Sequence, residues 1–96
     1  MLLNERQTQK GLLVSVCDAD VLGESFENDD VSLTVDAEFY DGEEVDDETA
    51  LESLARCSVA NLVGTRAVAL AVEQGFVDEE NVLEFEGTRH AQLLWL

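Results

Sequence analysis

The chain contains no proline, one lysine and one histidine. Without proline, its turns must be made by Gly, Asn and Asp. Two cysteines, Cys17 and Cys57, are too few and too far apart for a metal or redox motif, and no CxxC is present. Both lie beside apolar positions and read as buried free thiols. No apolar run approaches the roughly 20 residues that a bilayer-spanning helix needs. The opening MLLNERQ turns polar too soon for a signal peptide, so an intracellular, cytoplasmic protein is expected. G-x-S-x-G, P-loop and dinucleotide fingerprints are missing as well.

What is abundant is negative charge. Twenty-two Asp and Glu face five Lys and Arg, for a net charge of −17 and a pI near 4.1. With 46% hydrophobic residues the chain is nevertheless no disordered acidic tail, and 96 residues suit one domain, 1–96, with one core. The Debye length is about 10 Å at 0.1 M salt and about 3 Å at 1 M. Such a surface repels itself in dilute salt and far less in molar salt. The composition reads as an adaptation to a salt-accumulating cytoplasm.

The stretch from Ser58 to Gly75, SVANLVGTRAVALAVEQG, is free of acids until Glu73 and reads as one helix. Ser58 is placed to cap it, and Gly75 to end it in a left-handed residue followed by apolar Phe76. Ala60, Gly64, Ala67 and Ala71 then form a stripe of small residues along the arc of Val59, Val63, Val68 and Leu70.

Around it, 1–8 and 12–17 read as a β-hairpin turned at Gln9-Lys10-Gly11. Asp18 is expected to cap a single turn that stops at Gly23. A polar turn at 27–30 leads into a strand from Val31, with Phe39 and Tyr40 closing the segment against the core. The acidic run 41–48 has the charge for Ca²⁺ or Mg²⁺ but lacks the loop spacing, so no metal site is expected. Asp46 or Asp47 caps a helix to about Cys57, joined to the main helix as an αα-hairpin. Strands at 81–86 and 90–96 follow, turned at Gly87-Thr88. The expected fold is α+β, a mixed or antiparallel sheet of four to five strands with two helices on one face, in the order β-β-β-α-α-β-β.

Acidic residues are missing from 6–17, 53–72 and 87–96, and those windows hold Arg6, Lys10, Arg56, Arg66, Arg89 and His90. If they converge, one face is spared negative charge, and only there could a phosphate backbone or an acidic partner bind. Local pairing of the arginines with neighbouring carboxylates is the alternative. Asn61 stands out in an apolar stretch, either satisfying a loop or facing a ligand. His90 and Gln92 fall on one side of a strand, with Thr88 in line. Asn61, Arg66, Arg89, His90 and Gln92 are therefore the candidate contacts.

Several of these residues also carry a family resemblance. Val14-Ser-Val-Cys-Asp18 with Leu22-Gly23, Ser58-Val-Ala-Asn-Leu-Val-Gly64, Ala67-Val68, Gly75-Phe-Val77, Asn81-Val-Leu83 and Gly87-Thr-Arg-His-Ala-Gln92 resemble a small archaeal family, the domain of unknown function DUF424. Arg89 departs from the pattern, where the family commonly has proline. The resemblance implies an archaeal, here haloarchaeal, cytoplasmic protein, with relatives among translation and ribosome-related genes. The expectation is a non-catalytic binding module for RNA or a translation-associated protein, without cofactor. The rivals are a small enzyme using His90 as acid or base, and a homo-oligomer joined through the apolar LLWL end.

Overall fold

The computed structural model describes residues 1–95. The elements are β1 (Leu2–Thr8), β2 (Gly11–Cys17), β3 (Ser25–Glu27), β4 (Ser32–Thr34), α1 (Ala37–Tyr40), β5 (Glu43–Glu44), α2 (Asp47–Arg56), β6 (Val59–Val63), α3 (Thr65–Glu73), β7 (Leu83–Phe85) and β8 (Thr88–Leu94). Short 3-10 turns occupy Ala19–Val21 and Glu79–Asn81. Six strands form one mixed sheet in the order β5-β1-β2-β6-β8-β7, and β3-β4 is a separate hairpin. Only β2 and β6 pair in parallel; the other described pairs are antiparallel. The fold is α+β, with six strands and a side hairpin in place of four to five. No helix among the described residues is long and apolar enough to cross a membrane.

The main correction lies at 58–75. Val59 to Val63 is a central strand, and the helix begins only at Thr65. Alternation explains the strand: Ala60 and Leu62 are fully buried on one side, while Asn61 points to the other and is half-buried. Gly64 is the hinge between strand and helix, at φ +120°, a conformation that side-chain-bearing residues rarely adopt. There is accordingly no αα-hairpin: the chain runs α2-β6-α3, and the small residues do not share a helix stripe. Ser58 caps nothing here; its backbone extends the ladder to Leu12 and Trp95.

Other local expectations match. Asp46 caps α2 by accepting from the Thr49 N–H at 2.9 Å. At the end of α3, Phe76 N–H bonds the Ala71 carbonyl and Gly75 N–H that of Val72, with Gly75 at φ +80°: a Schellman ending with Gly75 in the left-handed position. The N-terminal hairpin turns at Gln9-Lys10, as expected, whereas the last one turns at Glu86-Gly87, one residue before the expected Gly87-Thr88, and Thr88 already opens β8. Of the segment from Val31, only Ser32–Thr34 is strand, while Phe39 and Tyr40 sit in α1. Leu96, with which the last strand was expected to end, lies outside the described residues.

Residues paired across a sheet share a face. Val14, Val16, Ala60, Leu62, Ala91 and Leu93 lie on one face, and α2 and α3 cover it with Ala50, Leu54, Ala67, Val68 and Ala71. Complete burial of a side chain such as Leu54 or Leu62 contributes about 2 kcal/mol. The opposite face is covered at one end only, where Val21, Val35 and Tyr40 close over Cys17 and Val63. Cys17 and Cys57 are both free and buried, on opposite sides of the sheet.

Candidate functional site: the open half of the sheet

The rest of that second face is more open, although Ser15 within it is buried at 2% exposure. Its register places Asn4 beside Ser15, Ser15 beside Asn61 and Asn61 beside Gln92, a polar row crossing four strands. A parallel row runs Arg6, Leu13, Val59, Leu94, with Leu94 59% exposed. A third row, Leu2, Cys17, Val63, His90, Leu83, borders the covered end, and its last member is again exposed. None of the side chains that β1, β2, β6, β7 and β8 turn to this face is acidic; β5 adds Glu44, paired with Leu2 at the covered end. The nearest acid on β1, Glu5, faces the helices, where Ser53 Oγ and Arg56 bond its carboxylate. The Ser53 bond is the chief reason its pKa lies below the usual carboxylate value.

The acid-free windows thus converge, as the central strands, but the cations do not converge with them. Arg56 pairs with Glu5 at 2.8 Å and Arg66 with Asp47 at 3.2 Å. Arg89 faces away and is held by Glu79 and Glu84, the latter at 2.8 Å. Those two hydrogen bonds raise its pKa further. Only Arg6 of the four arginines belongs to the open face; its guanidinium lies 5.5 Å from the Phe39 ring centre and bonds the Glu38 carbonyl. Of the five expected contacts, then, Asn61, His90 and Gln92 come together, whereas Arg66 and Arg89 lie elsewhere.

The start of α3 offers no anion site. Asp18, on the loop after β2, accepts from the Arg66 and Ala67 N–H groups at 3.0 and 2.9 Å. It therefore fills the position where a phosphate could lie. Its side chain caps α3 and not the adjoining turn, which takes no side-chain cap from it.

His90 is half-buried, and burial lowers its pKa below the usual histidine value. Leu83 and Val63 flank it in register, and Cys17 lies two strands away, about 10 Å at ordinary strand spacing. Burial, helped by Asp18, pushes the Cys17 thiol up to about 11, far from a nucleophilic thiolate. Among the described residues no three His, Cys, Asp or Glu are grouped to hold a metal ion. At the hairpin end of the face, Thr8, Leu13, Ser58 and Val59 line a shallow apolar cleft of about 200 Å³.

Asn4, Leu13, Ser15, Val59 and Leu94 are not among the five candidate contacts read from the sequence. Period-2 alternation through Leu13–Cys17 and 59–63 is the signal that finds Leu13, Ser15 and Val59, and for Val59 the helical reading of 58–75 hides it.

The geometry defines a small α+β domain with one helix-packed sheet face and one half-open face on which the strands place only two charged side chains, Arg6 and Glu44. The chain belongs to the family described as "Protein of unknown function (DUF424)", whose model matches residues 5–96. No curated protein matches it. In fold it is similar to the crystal structure of an uncharacterized conserved protein from Methanopyrus kandleri. The TM-score is 0.76 at 24% identity, over 99% of this chain and 93% of that one.

Proposed function

We propose that this protein is a non-catalytic binding module whose contact surface is the open half of the sheet. One observation carries the reading: in a chain with 22 acidic residues, five of the sheet's six strands turn no carboxylate toward this face, and the sixth, β5, turns only Glu44, beside Leu2 at the covered end. The Asn4, Asn61 and Gln92 carboxamides offer both donors and acceptors, and Leu13, Val59 and Leu94 offer apolar area beside them. That mixture suits a protein surface, for which a core of uncharged contacts is typical. A nucleic-acid backbone is served less well, because three arginines are already paired with carboxylates and the helix N-terminus is filled by Asp18. Of the two partner classes, a protein is therefore favoured over RNA. A cytoplasm rich in salt is the setting in which such a chain keeps its compact state.

The test is capture of partners in molar KCl, with and without ribonuclease, by the native chain and by Asn61→Asp/Gln92→Glu. These near-isosteric changes place two charges on the face. A nuclease-resistant protein partner lost in the variant supports the reading. Capture that ribonuclease abolishes favours RNA instead, and capture unaffected by the two charges overturns the choice of face.

A further inference from the structure

The β3–β4 hairpin is lightly attached to the rest of the fold. No residue from 25 to 34 is buried. Phe26 and Leu33 are partly buried against the cluster of Cys17, Val21, Val35, Tyr40 and Val63. Among the described residues a single hydrogen bond leaves 25–34, from the Asn28 side chain to the Glu84 carbonyl at 3.1 Å, and it is exposed. Segments held by so little buried area open at small cost. Charge adds nothing to hold it. Glu24, Glu27, Asp29 and Asp30 belong to this part of the chain, and Glu84 and Glu86 to the β7–β8 hairpin it touches. No ion pair among the described residues joins the two, since Arg89 faces away and is held by Glu79 and Glu84.

Two contacts place the hairpin. Asn28 reaches Glu84, and a Cβ on Gly87 would lie 3.5 Å from the Phe26 ring. They bracket the cross-strand pair of Phe85 and Thr88, whose side chains turn to the same face as His90 and Gln92. Thr88 is 2% exposed, and its hydroxyl meets no hydrogen-bond partner among the described residues. A hydroxyl kept from water without a partner weakens whatever encloses it.

We infer that the β3–β4 hairpin is a flap that lifts from β7–β8 and adds Phe85 and Thr88 to the open face. Closed, it keeps the Phe85 ring from water and leaves the Thr88 hydroxyl orphaned. Open, it frees that hydroxyl for water or for a partner, and Thr88, His90, Gln92 and Leu94 stand in one accessible line along β8. Exposure of Phe85 keeps the open form in the minority until something covers the ring. A partner that covers it therefore shifts the population. Lowering the salt shifts it the same way, because the acids of the two hairpins are then less screened. Use of the lengthened face rests on the binding role proposed above, whereas the motion of the flap does not.

The experiment is NMR relaxation dispersion on the whole chain in molar KCl, which reads exchange with a minor state on the μs–ms scale. The expected result is one process shared by Phe26, Leu33, Phe85 and Thr88 and absent from Val14 and Leu62 at the helix-packed face. Its minor population should rise as KCl is lowered within the molar range. Thr88→Val keeps the shape of the side chain and removes the orphan hydroxyl, so it should reduce that population roughly tenfold. Asn28→Ala removes the tether to Glu84 and should raise it several-fold. Absence of a shared process overturns the inference, as does exchange that also moves Val14 and Leu62, or a population that Thr88→Val leaves unchanged. A flap that opens in a protein capturing no partner would remove the binding role and leave the motion standing, and capture by a chain without the motion would do the reverse.

Discussion

The Asp18 carboxylate rests where a side chain on Gly64 would stand. A Cβ added to Gly64 would come within 2.7 Å of the Asp18 Cβ and nearer still to its carboxyl group. The two residues meet because β2 and β6 pair in parallel, with Cys17 beside Val63, so that both loops leave the sheet at the same end. Asp18 N–H also bonds the Val63 carbonyl at 3.0 Å.

Gly64→Ala should therefore destabilise the domain by about 3 kcal/mol, combining a strained φ with overlap of the carboxylate. In an Asp18→Gly background the same change should cost at least about 1 kcal/mol less, since only the backbone strain remains. Urea unfolding of the four proteins in molar KCl measures both numbers. Equal costs in the two backgrounds would show that the carboxylate does not constrain position 64.

Asp18→Ala removes the acceptor for two N–H groups at the start of α3. The loss of such a cap costs about 1–2 kcal/mol, or a fall in Tm of roughly 4–8 °C per kcal/mol for a domain of this size. Asp18→Asn keeps an acceptor and should retain most of the stability. Thermal melts of the two variants side by side check the order, and an Asn variant as unstable as Ala would count against capping.

Alkaline pH should loosen the fold through Cys17. Burial raises its pKa from 9.0 to about 11, so the folded chain holds the proton more tightly than the unfolded one. The contribution is complete below pH 9 and disappears as pH rises toward 11, a change on the order of 2 kcal/mol. Tyr40, raised by burial from 10.0 to about 12, adds a later fall. Cys17→Ala should flatten the first part of this decline. Urea midpoints between pH 8 and 11 test it, and coincident slopes for the two proteins would rule Cys17 out.

Dilution of KCl from molar to below about 0.2 M should loosen or unfold the chain, as screening of its carboxylates is lost. Circular dichroism across that range reads the change. A constant spectrum would exclude salt-dependent folding.

Much of the architecture was legible where one residue type forces one geometry. The Asp46 cap, the Gly75 helix ending and the N-terminal hairpin follow from local chemistry, and all are present. The stretch 58–64 was not legible as a strand, because Val, Ala and Leu in a short buried run satisfy both periodicities. Asn61 and Gly64 were the discordant residues within the helix reading. The strand resolves both, with Asn61 turned to the open face and Gly64 free to take positive φ. Candidate contacts fared similarly. His90 and Gln92 share a side because strand alternation is readable, Asn61 joins them only through the β6–β8 pairing, and Arg66 and Arg89 are drawn off by acids distant in sequence or across a hairpin, which no local pattern reveals.

The parallel contact of Leu13 with Val59 has a bearing on how the chain matures. During synthesis the first hairpin emerges with the inner side of β2 bare, and its neighbour follows only after β3, β4, α1, β5 and α2 have been made. Closing that long loop must precede the reward of pairing, so formation of the sheet is set by a slow, late event. Until then the nascent protein shows the aqueous phase the same unpaired backbone that its finished form shields on β2.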